Sequence, residues 1–303
     1  MEDMQNNQEP IPPINSSKTA KPRKPYRIIN GLLDSLLVIS VMILLSVILT
    51  IATMRYDPAF VQRIEITGLL NLASFSLVIG LKWKRWKPDL SQLFSKPARP
   101  GLVVPLMFLC AAGLTVVLSE MDNMLRPVIG DSLLYEILEN IFSRNLGAVF
   151  FAVGIIAPLS EEFFFRGYLI SRLEETVSPL AAVFATALLF GIFHLNPSQI
   201  ISGFFTGCIL GYAFVTSRSL IYPMLFHFFY NSIPVACLAA GISVPGYTDT
   251  AAFSHQPLWF TVSGFALLAV ALILLLQALP PLPAGSTGTS LPRENGDKGP
   301  DNG

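Results

Sequence analysis

The sequence predicts an all-α protein, a polytopic transmembrane helical bundle of about eight spans. The first observation is composition: 52% of the 303 residues are hydrophobic and 13% are charged, whereas about 25% are charged in an ordinary soluble domain. The second is arrangement, because the apolar residues form runs near the length of about 20 residues that a helix needs to cross a bilayer. The third is charge: 20 Lys and Arg against 20 Asp and Glu leave no cationic excess for binding nucleic acid.

Polar tails flank the predicted transmembrane domain of residues 31–279. Residues 1–30 and 280–303 are rich in polar residues and Pro, and such segments bury too little apolar surface to fold, so we expect both tails to be disordered. Between the tails, eight apolar runs predict the spans: Leu32–Met54, Ile64–Leu81, Leu102–Ser119, Leu146–Leu169, Leu180–Leu195, Ile200–Thr216, Ile221–Ala240 and Leu258–Leu279.

The placement of Lys and Arg predicts the orientation in the membrane, because cytoplasmic loops carry an excess of these residues. If the N-terminus is cytoplasmic, the cytoplasmic segments hold 15 of the 20 Lys and Arg residues and the outer segments hold 4, while Arg166 lies within a span. We therefore expect both termini to be cytoplasmic, in a bacterial plasma membrane.

The segment before the fourth span predicts a further helix. Asp131 can cap its start. Apolar side chains recur at helical spacing opposite polar ones: Leu134, Ile137, Leu138, Ile141 and Phe142 against Glu136, Glu139, Asn140 and Arg144. We expect an amphipathic helix at the membrane interface, and a short soluble helix folded on the bundle is the alternative.

Small residues predict close packing in the sixth span. Gly203, Gly207 and Gly211 repeat every four residues, which places them on one helical face. Such a face lets a neighbouring helix approach closely, so we expect this helix at the centre of the bundle.

The fourth span carries charged residues where a membrane helix is otherwise apolar: Glu161, Glu162 and Arg166. Each ionisable group near the bilayer centre costs roughly 2.5–3.5 kcal/mol on insertion scales. Glu162 and Arg166 are four residues apart, on one helical face, and can form an ion pair. Glu161 lacks that partner, which leaves it available as a general base; a buried ion pair that only fixes helix packing is the alternative.

Two of the three histidines also fall within predicted spans. His194 ends the fifth span, and His227 in the seventh lies four residues before Asn231, so the imidazole and the carboxamide share one face. Together the set offers a carboxylate base, a histidine to relay a proton, and a His/Asn pair to donate hydrogen bonds to an oxyanion. These groups are sufficient to hydrolyse an acyl bond with an activated water.

At these residues the sequence resembles the CAAX prenyl endopeptidase and bacteriocin-processing (CPBP) family of intramembrane proteases. Its three motifs match in order, each on its own predicted helix, within the core region 146–240: Glu161-Glu162-x-x-x-Arg166, Phe190-x-x-x-His194 and His227-x-x-x-Asn231. The resemblance implies that Glu161 activates the water with help from His194, and that His227 and Asn231 stabilise the oxyanion. It also implies that Glu162, Arg166 and Phe190 support the site.

The resemblance implies a protein or peptide substrate at the lipid bilayer. In the eukaryotic branch the substrate is a prenylated protein that loses its last three residues, and bacterial relatives are tied to bacteriocin maturation or immunity. We expect catalysis without a cofactor, because a carboxamide such as Asn231 is a good oxyanion donor and a poor zinc ligand. A zinc site formed by Glu161, His194 and His227 is one alternative. A transporter path or a non-catalytic immunity scaffold are others.

The depths of these residues predict where the cavity opens. At 1.5 Å per residue, Glu161 and His227 lie nearer the cytoplasmic ends of their spans, by the orientation above. His194 lies at the far end of a short span, which must tilt if the three are to meet. We therefore expect a cavity that opens to the cytoplasmic side.

Overall fold

The computed structural model describes residues 64–129, 145–249 and 254–282, together with separate positions between 33 and 55, which are helical and constitute α1. The remaining helices are α2 (Ile64–Trp86), α3 (Leu90–Leu93), α4 (Pro100–Ile129), α5 (Leu146–Leu173), α6 (Pro179–Phe193), α7 (Pro197–Ser217), α8 (Ile221–Ala239) and α9 (Leu258–Ala278). Within these described residues there is no β-strand. The predicted all-α bundle is confirmed.

Each predicted span has a helix at its position. Five of the described helices are long and apolar enough to cross a membrane, namely α4, α5, α7, α8 and α9. Helix α6 has only 15 residues, fewer than the roughly 20 that span a bilayer, so the count of eight spans is approximate. The predicted tails of residues 1–30 and 283–303 and the predicted amphipathic helix of residues 131–144 lie outside the described residues.

The short turns of the bundle are fixed by helix caps. The Ser178 side chain accepts a hydrogen bond from the backbone N–H of Ala181 at the start of α6, and Asn196 accepts one from Ser198 at the start of α7. In both helices a proline follows the cap, where its fixed φ suits a helix start and no N–H is lost. These caps allow α6 to end and α7 to begin within three residues.

Glycines bring α6 and α7 into backbone contact. A Cβ atom on Gly203 would lie 2.9 Å from the Cα of Gly191, and one on Gly207 would lie 2.9 Å from the Cα of Ala187. Neither site has room for a larger residue. The close approach predicted for the glycine face of the sixth span is therefore present, and its partner is α6.

Two apolar clusters form the interior, one among α2, α5 and α6 and the other among α4, α7, α8 and α9. Large apolar side chains are exposed on the outer surface of the bundle, for example Leu258, Trp259 and Val262 of α9. A soluble protein rarely exposes an apolar surface of this extent, whereas lipid tails solvate it well. The chain is a multi-pass membrane protein.

Hydrogen bonds tie the loops together at the two ends of the bundle. At one end the backbone N–H of Leu220 donates to the carbonyl of Leu93, and Ser219 donates to Ser95; we call this the 90–99 end. At the other end Asn123 donates to the carbonyl of Gly246. Helix α5 runs towards the 90–99 end, since Arg218 there forms an ion pair with Glu174 at 2.5 Å.

Candidate active site

The catalytic set predicted from the sequence surrounds one cavity. Glu161 of α5, His194 at the end of α6, and His227 and Asn231 of α8 all line a cavity of about 440 Å³. The fourth and last of the predicted helices therefore do not face lipid with these polar groups. Three separate helices bring an acid, two imidazoles and a carboxamide to a common space.

Helix α5 is wound unevenly around its two glutamates. Residues Ala157–Glu162 form regular α-helix, whereas Phe150–Ile156 before them and Phe163–Ile170 after them are π-helical. π-Helical turns are rare and occur frequently at functional sites. Each wide turn changes the angular position of the residues beyond it, so the direction of Glu161 could not be derived from an ideal period of 3.6 residues.

Glu162 connects a cation on its own helix to an imidazole on another. Its Oε1 atom accepts a hydrogen bond from Arg166 Nη1 at 3.0 Å and lies 2.7 Å from His227 Nδ1. Both Glu162 and Arg166 are completely buried. The ion pair predicted from their spacing is present, and its additional contact with His227 was not predicted. Because Glu162 binds Nδ1, the other ring nitrogen of His227 faces Glu161, with Nε2 at 3.9 Å from Glu161 Oε2.

Arg166 is held by contacts beyond the carboxylate. Its Nη2 atom donates to the backbone carbonyl of Gly207 at 3.3 Å, which links α5 to α7. Its guanidinium lies 4.6 Å from the centre of the Phe190 ring, close enough for a cation–π interaction. The Phe190 ring also packs edge-on against His194 and His227, with ring centres 5.0 and 5.8 Å apart. Phe190 thus separates and orients the charged groups.

A backbone hydrogen bond fixes the tautomer of His194. Its Nδ1 lies 2.8 Å from the carbonyl oxygen of Phe190, and because a carbonyl can only accept, Nδ1 carries the proton. In the neutral ring Nε2 is then the acceptor, free to accept a hydrogen bond from a water in the cavity. Asn231 donates from Nδ2 to the carbonyl of Val153 at 2.8 Å, which holds its carboxamide at the cavity wall.

Several polar residues of the cavity were missed by sequence reasoning. They come from four helices and are uncharged: Asn71, Ser160, Gln199, Ser202, Thr206 and Tyr230. Each is a single polar residue in an apolar helix, which is also typical of structural hydrogen bonds. The one available signal was the position of Tyr230, between His227 and Asn231 on the same helix.

The cavity lies at a different end of the bundle from the one we expected. Its outer lining comes from the first turns of α2 and α7, at Gly68 and Gln199, and from Ala152 near the start of α5. These are the ends opposite to the 90–99 end. In the orientation predicted from Lys and Arg this is the outer side, so the expected opening to the cytoplasmic side is wrong for that orientation. The error arose because depths were counted along ideal helices, and His194 at the very end of α6 fixes the location.

The donor set of a zinc site was also examined in the part of the chain that the structure describes. There, no group of three His, Cys, Asp or Glu side chains converges closely enough to hold a metal ion. Glu161 and His227 face each other, but the nearest pair of donor atoms is 3.9 Å apart. These residues, as arranged, do not form the zinc site that was the alternative.

Known proteins resemble this chain over the stretch that contains the site. Residues 143–233 match the family model described as "Type II CAAX prenyl endopeptidase Rce1-like". The rat (Rattus norvegicus) protein "CAAX prenyl protease 2" is 33% identical over 128 residues, which cover 41% of this chain and 37% of the rat protein. The matched segment thus spans little more than a third of that relative. No solved structure matches the chain.

Proposed function

We propose, from the membership of residues 143–233 in the family of Rce1-like type II CAAX prenyl endopeptidases, that this chain is a membrane-embedded endopeptidase. Its substrate is a protein or peptide that reaches the bilayer, and the nucleophile is a water activated by Glu161. The observation that supports this proposal most strongly is the cavity shared by Glu161, His194, His227 and Asn231. No feature of the described residues favours a transporter or a scaffold over it.

The first step is attack by water. The Glu161 carboxylate takes a proton from a water molecule while His194 Nε2 accepts that water's second hydrogen bond, which aims its oxygen at the substrate carbonyl. Bond formation between this oxygen and the carbonyl carbon gives a tetrahedral intermediate with a negative oxygen. General-base catalysis of this kind contributes typically 10²–10⁴-fold to a rate.

The second requirement is stabilisation of the oxyanion. Asn231 Nδ2 can donate to it, and His227 can donate from Nε2 when its ring carries both protons. Glu162, 2.7 Å from Nδ1, stabilises that imidazolium. With His227 protonated, two carboxylates balance one imidazolium and the guanidinium of Arg166, so the buried cluster is neutral overall and avoids the cost of an unpaired buried charge.

The last step is departure of the amine. The proton held by Glu161 passes to the nitrogen of the scissile bond as the C–N bond breaks, which restores the carboxylate and releases a free amine and a carboxylic acid. No group on the protein is consumed, and no covalent intermediate is formed. The described residues can supply every proton transfer that peptide hydrolysis requires.

Proteolysis by the purified protein in detergent tests this proposal. Fluorogenic peptides that end in a CAAX sequence, with and without a prenyl group, are the substrates. We expect Glu161→Gln to lose at least 10²-fold in rate, because an amide cannot accept the proton. Glu175→Gln is the matched control, since Glu175 belongs to the second Glu-Glu pair of α5, is exposed, and pairs with Arg172 at the surface. Equal cleavage by wild type and Glu161→Gln would remove the proposed base.

A further inference from the structure

The cavity and the basic residues of the bundle lie at opposite ends. On α7 the cavity residue Gln199 is near the first turn, whereas Ser217 ends the helix at the 90–99 end. Eighteen residues of helix at 1.5 Å each separate them by about 27 Å along the axis, close to the thickness of a bilayer's hydrocarbon core, which is about 30 Å. The outer cavity lining therefore lies near one membrane surface and the 90–99 end lies near the other.

The 90–99 end collects most of the basic residues of the described chain. Eight Lys and Arg residues lie in its loops and adjoining helix ends: Lys82, Lys84, Arg85, Lys87, Lys96, Arg99, Arg172 and Arg218. At the cavity end the helices described here carry Arg55 and Arg126. A bias of this size sets orientation in membranes, with the basic loops on the cytoplasmic side.

The interior between the cavity and the 90–99 end is closed. Beyond Glu161 towards that end lie Arg166 and Phe165 of α5, Leu210 of α7 and Phe226 of α8, each fully buried. Arg166 bonds across to Gly207 at 3.3 Å, which ties two of these helices together. A peptide arriving from the cytoplasmic side would have to displace this packed layer before reaching Glu161.

We propose that the cavity opens on the outer, non-cytoplasmic face of the membrane, and that the substrates are peptide segments exposed on that side. Segments next to the membrane anchor of an exported or membrane-bound protein have this chemistry. This inference rests on the proposed proteolytic function for its substrate class, whereas the sidedness of the cavity is independent of catalysis. A prenylated C-terminus in the cytoplasm would face the closed end and would not reach the catalytic set.

Cysteine labelling in intact cells tests the sidedness without measuring activity. The full chain is expressed in bacteria with Cys110, Cys208 and Cys237 replaced by Ala, and single cysteines are added in three separate variants. Gln199→Cys lies in the cavity, Ser243→Cys lies in the exposed loop at the same end, and Ser91→Cys lies at the 90–99 end. A membrane-impermeant maleimide is applied to intact cells and, in parallel, to permeabilised cells.

We expect Gln199→Cys and Ser243→Cys to be labelled in intact cells, and Ser91→Cys only after permeabilisation. The reverse pattern would overturn the inference, and so would labelling of Ser243→Cys in intact cells when Gln199→Cys reacts only after permeabilisation. Because the readout is labelling, an inactive protein with the expected pattern would count against the proposed function alone. An active protease with the reverse pattern would count against the sidedness alone.

Discussion

Replacing Glu162 by Gln tests how the buried charges are held. One oxygen of this carboxylate accepts from Arg166 at 3.0 Å and contacts His227 Nδ1 at 2.7 Å. Gln keeps the shape of the side chain but removes its charge, so Arg166 stays buried with its nearest counter-ion gone. The His227 ring loses the anion that stabilises its protonated form.

The expected cost follows from burial. Glu162 and Arg166 are 0% exposed, and removing one partner of a buried ion pair costs about 3–5 kcal/mol. Two other pairs of Glu and Arg in the same region provide a graded comparison. Glu174 and Arg218 are 15% and 4% exposed, and Glu175 and Arg172 are 42% and 37% exposed. Exposed pairs contribute about 0–1 kcal/mol, so the same Glu→Gln change must cost progressively less.

Thermal unfolding of the purified variants in detergent measures this order. We expect the apparent Tm to fall most for Glu162→Gln, less for Glu174→Gln, and by no more than a few degrees for Glu175→Gln. Glu162→Gln should also lose proteolytic activity at temperatures where it is still folded, because His227 is no longer held as a cation. Equal Tm values for Glu162→Gln and Glu175→Gln would refute the argument that burial of the ion pair determines its contribution.

Three further predictions concern packing, the oxyanion and metals. Gly207→Ala should destabilise the protein by about 1–3 kcal/mol, because its Cβ would lie 2.9 Å from the Ala187 backbone, whereas Gly80→Ala, with no atom within 4 Å, should be neutral or stabilising; size-exclusion profiles after heating separate the two. Asn231→Ala should lower kcat by about 10²–10³-fold with little change in KM, as loss of an oxyanion donor does, whereas Asn123→Ala, which removes a buried hydrogen bond to Gly246 outside the cavity, should lower Tm and leave kcat unchanged. Dialysis against a chelator should leave full activity, and a loss that zinc alone restores would show that the metal-free mechanism is wrong.

The bundle itself could be predicted because its signals are long and periodic. Apolar runs placed a helix at each of the expected positions, and the glycine face of α7 identified a close helix contact before its partner was known. Ends and lengths were less certain: α4 extends to Ile129, ten residues past its predicted end, because the polar residues Glu120 and Asn123 bond to each other and to the Gly246 loop.

The site could be predicted in membership but not in geometry. Charged and imidazole groups inside membrane helices are costly enough to mark a functional cluster from sequence alone. The contact between Glu162 and His227 could not be predicted, since it joins residues 65 positions apart across two helices. The position of the cavity was also wrong, because the π-helical turns of α5 and the end position of His194 are tertiary features that an ideal helix does not contain.

A double-mutant cycle between Glu161 and His194 tests most directly whether separate helices act on one water molecule. Rates are measured for wild type, Glu161→Gln, His194→Ala and the double variant, all checked for folding by Tm. If both side chains hold the same water, the double variant should be no slower than the slower single variant, because groups that act as a unit are not additive. Losses that multiply in the double variant would show that the two residues act independently, contrary to the shared site.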